Sequence, residues 1–212
     1  MGDPVGDGLV ANLSRPGGNV TGLTFLGPEL IPKRFELLRQ AVPTVSRIAA
    51  LWHPGAFGEG TTREMLKQTE AAARTLGVQL QLVGVRGPDE LDRAFSTMTR
   101  EHADALIVFP SPMLFNERRH IVDLAVQHRL PSISVAREFV ELGGLIAYGA
   151  SIPGLVRRSA TYVDKILKGA RPGDLPVEEP TKFDLVINLK TAKTLGLTIS
   201  PSLLQRADQV IE

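Results

Sequence analysis

Four short apolar runs recur along the middle of the chain at intervals of about 25–30 residues: Arg47–His53 (RIAALWH), Val78–Val85 (VQLQLVGV), Asp104–Pro110 (DALIVFP) and Pro131–Ala136 (PSISVA). Each has strand length and is bounded by turn or charged residues. Between them the apolar spacing changes to that of a helix. In Thr61–Leu76, residues Met65, Leu66, Thr69, Ala72, Ala73 and Leu76 share one face, and Gly77 follows as a stop. Pro88-Asp-Glu supplies a rigid first turn and two carboxylates to a helix whose apolar face is Leu91, Ala94, Phe95 and Met98. Leu114–Arg129 aligns Ile121, Leu124, Ala125 and His128. Strand–helix alternation of this kind buries a parallel sheet on both faces, and right-handed crossovers make a doubly wound α/β sheet the expected topology.

Downstream, Leu145–Ala150 reads as a further strand and Gly154–Lys168 as an amphipathic helix ended by Gly169. Phe183–Asn188 reads as a strand, Lys190–Leu195 as a short helix and Pro201–Glu212 as a final amphipathic helix. Two stretches are irregular. Arg15–Gly22 (RPGGNVTG) is a turn-rich entry to a short extended segment, Val20–Phe25, and Gly169–Pro180 is a proline- and glycine-rich connector. No internal repeat is visible.

Several chemistries are excluded by what is missing. Lys and Arg number 24 against 23 Asp and Glu, a net charge of +1, so nothing advertises nucleic acid or an anionic membrane. The absence of cysteine removes thiol catalysis and cysteine metal sites, and the four histidines form no metal-binding motif. Neither a P-loop nor a nucleophile-elbow motif occurs. No cofactor and no catalytic residue is therefore expected. No run approaches the roughly 18 apolar residues of a membrane span. The start, MGDPVGDGLV, lacks the basic and apolar regions of a signal peptide, which taken literally places the chain in the cytoplasm.

Ligands of open α/β sheets sit beyond the carboxyl ends of the strands. That rule selects His53, Ser111, Arg137 and Tyr148 as candidate ligand-binding residues, a set suited to a small polar or zwitterionic molecule. Gly60 and Thr61 join them, because Gly58–Arg63 (GEGTTR) is a glycine-bearing loop leading into a helix, where exposed N–H groups favour an anion. The same loop also reads as a simple cap, with Thr61 or Thr62 closing the helix.

Three motif groups carry a family resemblance. Asp3-Pro4-Val5 with Gly8-Leu9-Val10 and Arg15–Gly22 form the first. Tyr162–Gly169 (YVDKILKG) with Asp174–Val177 (DLPV) form the second, and Phe183–Gly196 (FDLVINLKTAKTLG) forms the third. In this order and spacing they resemble the substrate-binding proteins of ABC transporters typified by tryptophan/tyrosine-binding lipoproteins. The resemblance implies a type I periplasmic-binding-protein fold of two doubly wound lobes, with a small solute, an amino acid among the candidates, held between them by hinge closure. It also implies an ABC permease as partner, a periplasmic or extracytoplasmic location, and no enzymatic activity.

Carried onto this chain, the resemblance makes residues 1–26 a remnant of the N-terminal lobe with the first crossover, and 27–143 the C-terminal α/β lobe. Residues 144–168 become a return to the N-terminal lobe, and 169–212 the third crossover and C-terminal segment. Family members place a signal peptide and most of a first lobe before the equivalent of Asp3-Pro4, so the chain is expected to be truncated and compromised in binding. Leu145–Ala150 and the helix after it should then lack their original sheet neighbours, and either rearrange or pair with another copy, as a homodimer, through their bare apolar faces. The alternative is a cytoplasmic flavodoxin-like enzyme or sensor using the Gly58–Thr62 loop for a nucleotide or flavin.

Overall fold

A computed structural model describes all residues, 1–212. After an irregular N-terminal segment the regular elements are α1 (Ile31–Ala41), β1 (Arg47–Trp52), α2 (Glu59–Leu76), β2 (Gln79–Gly84), α3 (Leu91–Arg100), β3 (Ala105–Val108), α4 (Pro112–Asn116), α5 (Arg118–Gln127) and β4 (Ser132–Ser134). They continue with α6 (Arg137–Glu141), β5 (Ile146–Ala150), α7 (Ile152–Leu167), β6 (Phe183–Asn188), α8 (Leu189–Leu195), α9 (Pro201–Leu204) and β7 (Gln209–Ile211).

All seven strands form one sheet in the order β2-β1-β3-β4-β5-β6-β7. The pairs from β2 to β5 are parallel, β5 and β6 are antiparallel, and β7 runs parallel to β6. Alternation along a strand sends successive side chains to opposite faces. In β1, Ile48 and Ala50 join the core beneath α1, α2, α8 and α9, while Ala49 and Leu51 join the core beneath α3, α4, α5 and α6. The architecture is a three-layered, mostly parallel α/β sheet, as expected.

Where the structure departs from expectation, packing explains the difference. Leu145–Ala150 is fully embedded in the sheet: β5 pairs with β4 on one side and β6 on the other. The final helix is one turn, α9, and the chain then extends as edge strand β7, where Val210 opposes Ile187 and Asp208 accepts the Leu185 N–H at 2.8 Å. The helix expected over Leu114–Arg129 is two helices broken at Glu117. Helix α1 was not expected at all. It carries Pro32 in its first turn, has no side-chain cap, and buries Ile31, Arg34, Phe35, Leu37, Leu38 and Ala41 against the sheet.

Helix α7 is the opposite case. Of its 16 residues only Tyr162 is buried, and Val156 (64% exposed), Val163 (55%) and Leu167 (82%) face outward with Ile152 and Ile166. Here the expectation of a bare apolar face holds. The helix is tied down through the connector: Tyr162 Oη donates to the Pro176 carbonyl at 2.8 Å, and Arg158 makes a bidentate pair with Glu178 at 2.6 and 2.7 Å. The connector in turn runs beside the N-terminal segment. Leu23 bridges Glu178, Thr24 N–H donates to Glu178 O at 2.9 Å, and Val177 N–H donates to Leu13 O at 2.7 Å.

Candidate functional site

The parallel strands β1, β3, β4 and β5 release their carboxyl ends on one edge of the sheet, and that edge holds an apolar pocket of about 300 Å³. Phe57 comes from the loop after β1, Pro110 and Ser111 from the end of β3, Val135 and Ala136 from the end of β4, and Gly149, Ala150 and Ile152 from the end of β5. Phe115 reaches in from α4, Arg34 from α1, and Phe25 from the N-terminal segment. Phe25 and Phe57 lie with ring centroids 5.7 Å apart. The backbone after Phe25 is held in place at Leu26, which adopts φ = 51° and donates its N–H to Thr24 Oγ1 at 2.9 Å. A bulky residue rarely takes that conformation.

Of the residues selected from sequence, Ser111 lies in this pocket. Its Oγ caps α4 by accepting the Leu114 N–H at 3.4 Å and lies 3.0 Å from His53 Nδ1. The contact pairs a hydroxyl with an imidazole, yet no carboxylate orients the far side of the ring as hydrolytic chemistry requires. His53 itself lines the neighbouring cleft with Pro112 and Glu117. Tyr148 contributes through its backbone: its carbonyl accepts from Arg34 Nε at 2.9 Å, while the ring packs on Phe183. Arg137 is the first residue of α6 and bonds away from the pocket, to Glu141 at 2.8 Å and to Gln209.

Gly60 and Thr61 lie in the first turn of α2, outside this pocket. The N-terminus of α2 does attract an anion, but the anion is the chain's own Asp7. One carboxylate oxygen accepts the Thr61 N–H at 2.8 Å and the other accepts Thr61 Oγ1 at 2.5 Å, while Asp3 N–H donates to Thr61 Oγ1 at 2.9 Å. Thr61 is fully buried by these contacts. A Cβ on Gly60 would sit 2.1 Å from the Gly6 carbonyl, so only glycine permits this approach. The N-terminus of α2 is thus capped by a carboxylate of the chain itself.

Sequence reasoning missed Arg34 and the phenylalanine walls. Arg34 is 1% exposed, and burial pushes its guanidinium down to about 10, with the Tyr148 phenol and Glu29 opposing the shift from a distance. It therefore stays charged at neutral pH. The signal available in sequence was the spacing Ile31, Phe35, Leu38 around Pro32, which places Arg34 on the inner side of a helix. A second cleft of about 410 Å³ lies between the start of α7 and the connector, lined by Arg158, Glu178, Glu179 and Lys182, of which Arg158 and Glu178 pair with each other. No helix is long and apolar enough to cross a membrane.

The family model "ABC transporter substrate binding protein" matches residues 1–211. The chain is similar to the "Tyrosine-binding protein" of Clostridioides difficile (strain R20291), 24% identical over 92% of this chain and 55% of that protein. It thus spans about half the length of that curated relative. Among solved structures it resembles an ABC domain from Streptococcus pneumoniae in complex with L-Trp, at 30% identity, a TM-score of 0.88, and 99% of this chain against 71% of that one. A conserved domain protein from Vibrio cholerae gives 29% identity and a TM-score of 0.88 over 98% of this chain and 68% of its own.

Proposed function

Because the chain belongs to the ABC transporter substrate-binding protein family, we propose that it is the solute-binding component of an ABC importer whose solute is an amino acid with an aromatic side chain. The observation that carries this reading is the apolar pocket at the carboxyl edge of the sheet, walled by Phe25, Phe57, Phe115 and Ile152. Pockets of this size and lining, with a few polar groups set among apolar walls, are the usual form of small-molecule sites. The names of two relatives, one tyrosine-binding and one solved with L-Trp, support the same solute class.

On this reading Ser111 is the sequence-selected residue retained as a solute contact, and Arg34, Phe25, Phe57 and Phe115 are added. The protein works outside the cytoplasm, hands its solute to an ABC permease, and catalyses nothing. Closure occurs about the segments that run side by side at Gly22–Thr24 and Val177–Glu178. Two copies of this chain associate through the bare face of α7, a reading supported by its exposed Val156, Val163 and Leu167. Gel filtration across a dilution series tests that pairing, and a single monomeric species at every concentration would refute it.

Calorimetric titration with L-Trp, L-Tyr, L-Phe and a set of aliphatic and charged amino acids tests the solute assignment. Saturable heat with the aromatic set and little with the others is expected. Equal response across the whole set, or none with the aromatic three, would overturn it.

A further inference from the structure

Arg34 is the one charged side chain in the apolar pocket. A guanidinium taken out of water needs compensation, since burying an ion without a partner is among the costliest acts in folding. Yet none of the chain's salt bridges involves it. Its protein partners are two neutral carbonyls, Tyr148 O from Nε at 2.9 Å and Gly27 O from Nη1 at a long 3.5 Å. A guanidinium has five N–H donors in a planar fork, so most of its capacity is unspent. The carbonyls hold the fork in place without cancelling its charge.

Resting on the reading of this pocket as a solute site, we infer that Arg34 is the receptor for the solute's carboxylate, so that the pocket selects organic anions with an apolar body. The phenylalanine walls accept the body, and the guanidinium pairs with the carboxylate through charge-assisted hydrogen bonds. Burial strengthens that pairing, because the surrounding apolar groups offer little competition from water. The lowered proton affinity of Arg34, set by burial and only partly offset by Tyr148 and Glu29, agrees with a cation that has no hydrogen-bonded anion. The free amine of an amino acid finds no acidic group among the lining residues, which makes the carboxylate the decisive handle.

The experiment compares three indole compounds on the 212-residue chain by calorimetry: L-Trp, indole-3-propionate, which keeps the carboxylate and lacks the amine, and tryptamine, which keeps the amine and lacks the carboxylate. The first two should bind, and tryptamine at least tenfold more weakly. Arg34→Gln should weaken the two carboxylates about ten- to hundredfold, the scale of a charged hydrogen bond, leave tryptamine unchanged, and be partly rescued by Arg34→Lys. Tryptamine binding as tightly as L-Trp would overturn the inference while leaving the aromatic-solute reading intact. If none of the three binds, that reading fails, and phenylacetate and hexanoate against the matching amines decide the inference alone. Binding of carboxylates only, lost in Arg34→Gln, upholds it; no binding of any carboxylate overturns it. Should circular dichroism show Arg34→Gln unfolded, the wild-type comparison of carboxylate with amine still decides between the two outcomes.

Discussion

Helices α1 and α7 are both amphipathic and both begin with proline in the first turn, but their fates differ. Helix α1 buries six of eleven residues under the sheet, whereas α7 buries one of sixteen and shows its apolar stripe to solvent. Amphipathicity tells a helix that it has a face to hide; only tertiary structure says whether something hides it. The molecule divides along this line into a sheet body with packed cores on both sides, and a flank of N-terminal segment, α7 and connector held mainly by hydrogen bonds, with the Arg158–Glu178 pair joining α7 to the connector.

The largest expected effect tests the division directly. Phe35 of α1 is fully buried, so Phe35→Ala should cost about 3–5 kcal/mol by removing a packed ring and leaving a cavity. Val163→Ala, on the bare stripe of α7, should change stability by about 0.5 kcal/mol or less. Urea denaturation of both variants checks the pair. Similar losses in the two, measured at concentrations where gel filtration finds only monomer, would mean that α7 is covered within the single chain and that the comparison is false. Native-state hydrogen exchange should likewise find α7 opening well before the sheet strands.

A smaller effect probes the seam between the two regions. Asp7 belongs to the flank but caps α2 of the body, taking both the N–H and the hydroxyl of Thr61. Gly58, the cap residue of α2, has no side chain to do this itself. Asp7→Ala should therefore cost about 1 kcal/mol, typical of a lost N-cap, and speed amide exchange in the first turn of α2. Exchange unchanged in that turn would show that the N-terminal segment does not rest there in solution.

The body was far more legible in the sequence than the flank, and the reason is the range of the forces involved. Strands β1 to β4 and helices α2 and α3 announce themselves because burial on both sheet faces imposes periods of 2.0 and 3.6 on local sequence. Helix α1 escaped because its inner face carries Arg34 beside Phe35, and a charge there masks the apolar period. Strand β7 escaped because Gln209–Ile211 is too short for any period, and its pairing with β6 comes from partners more than twenty residues away. The site divided in the same way. Strand-end placement selected Ser111 from local pattern, while Phe25 and Arg34 reach the pocket through tertiary contacts that no window of sequence contains. The family resemblance, by contrast, was readable from the ordered motifs, and the match over residues 1–211 agrees with it.

The smallest effects come from two carboxylates, one in each region, and they separate by pH and salt. Burial alone would raise Asp104, but hydrogen bonds from Ser46 Oγ (2.7 Å), Ser46 N–H (2.8 Å) and Arg47 N–H (2.8 Å) hold it below its ordinary 3.8. These bonds pin the entry of β1 to that of β3. On the flank, hydrogen bonding from Arg158 holds Glu178 below its ordinary 4.5. A carboxylate held low in the folded state binds fewer protons there than in the unfolded chain. Each stabilising contribution is thus complete above those ordinary values and is lost as pH falls through the lowered ones. Asp104→Asn should cost about 0.5 kcal/mol at pH 7, discounted for its exposure, and should flatten the acid limb of the stability curve. Glu178→Gln should cost less, and its effect should shrink in high salt, because an exposed ion pair is screened whereas hydrogen bonds from backbone N–H groups are hardly touched. Thermal melts of both variants from pH 3 to 7, at low and high salt, separate the outcomes. An Asp104→Asn loss as salt-sensitive as that of Glu178→Gln would mean that body and flank are held by the same exposed electrostatics, and the division drawn between them would fall.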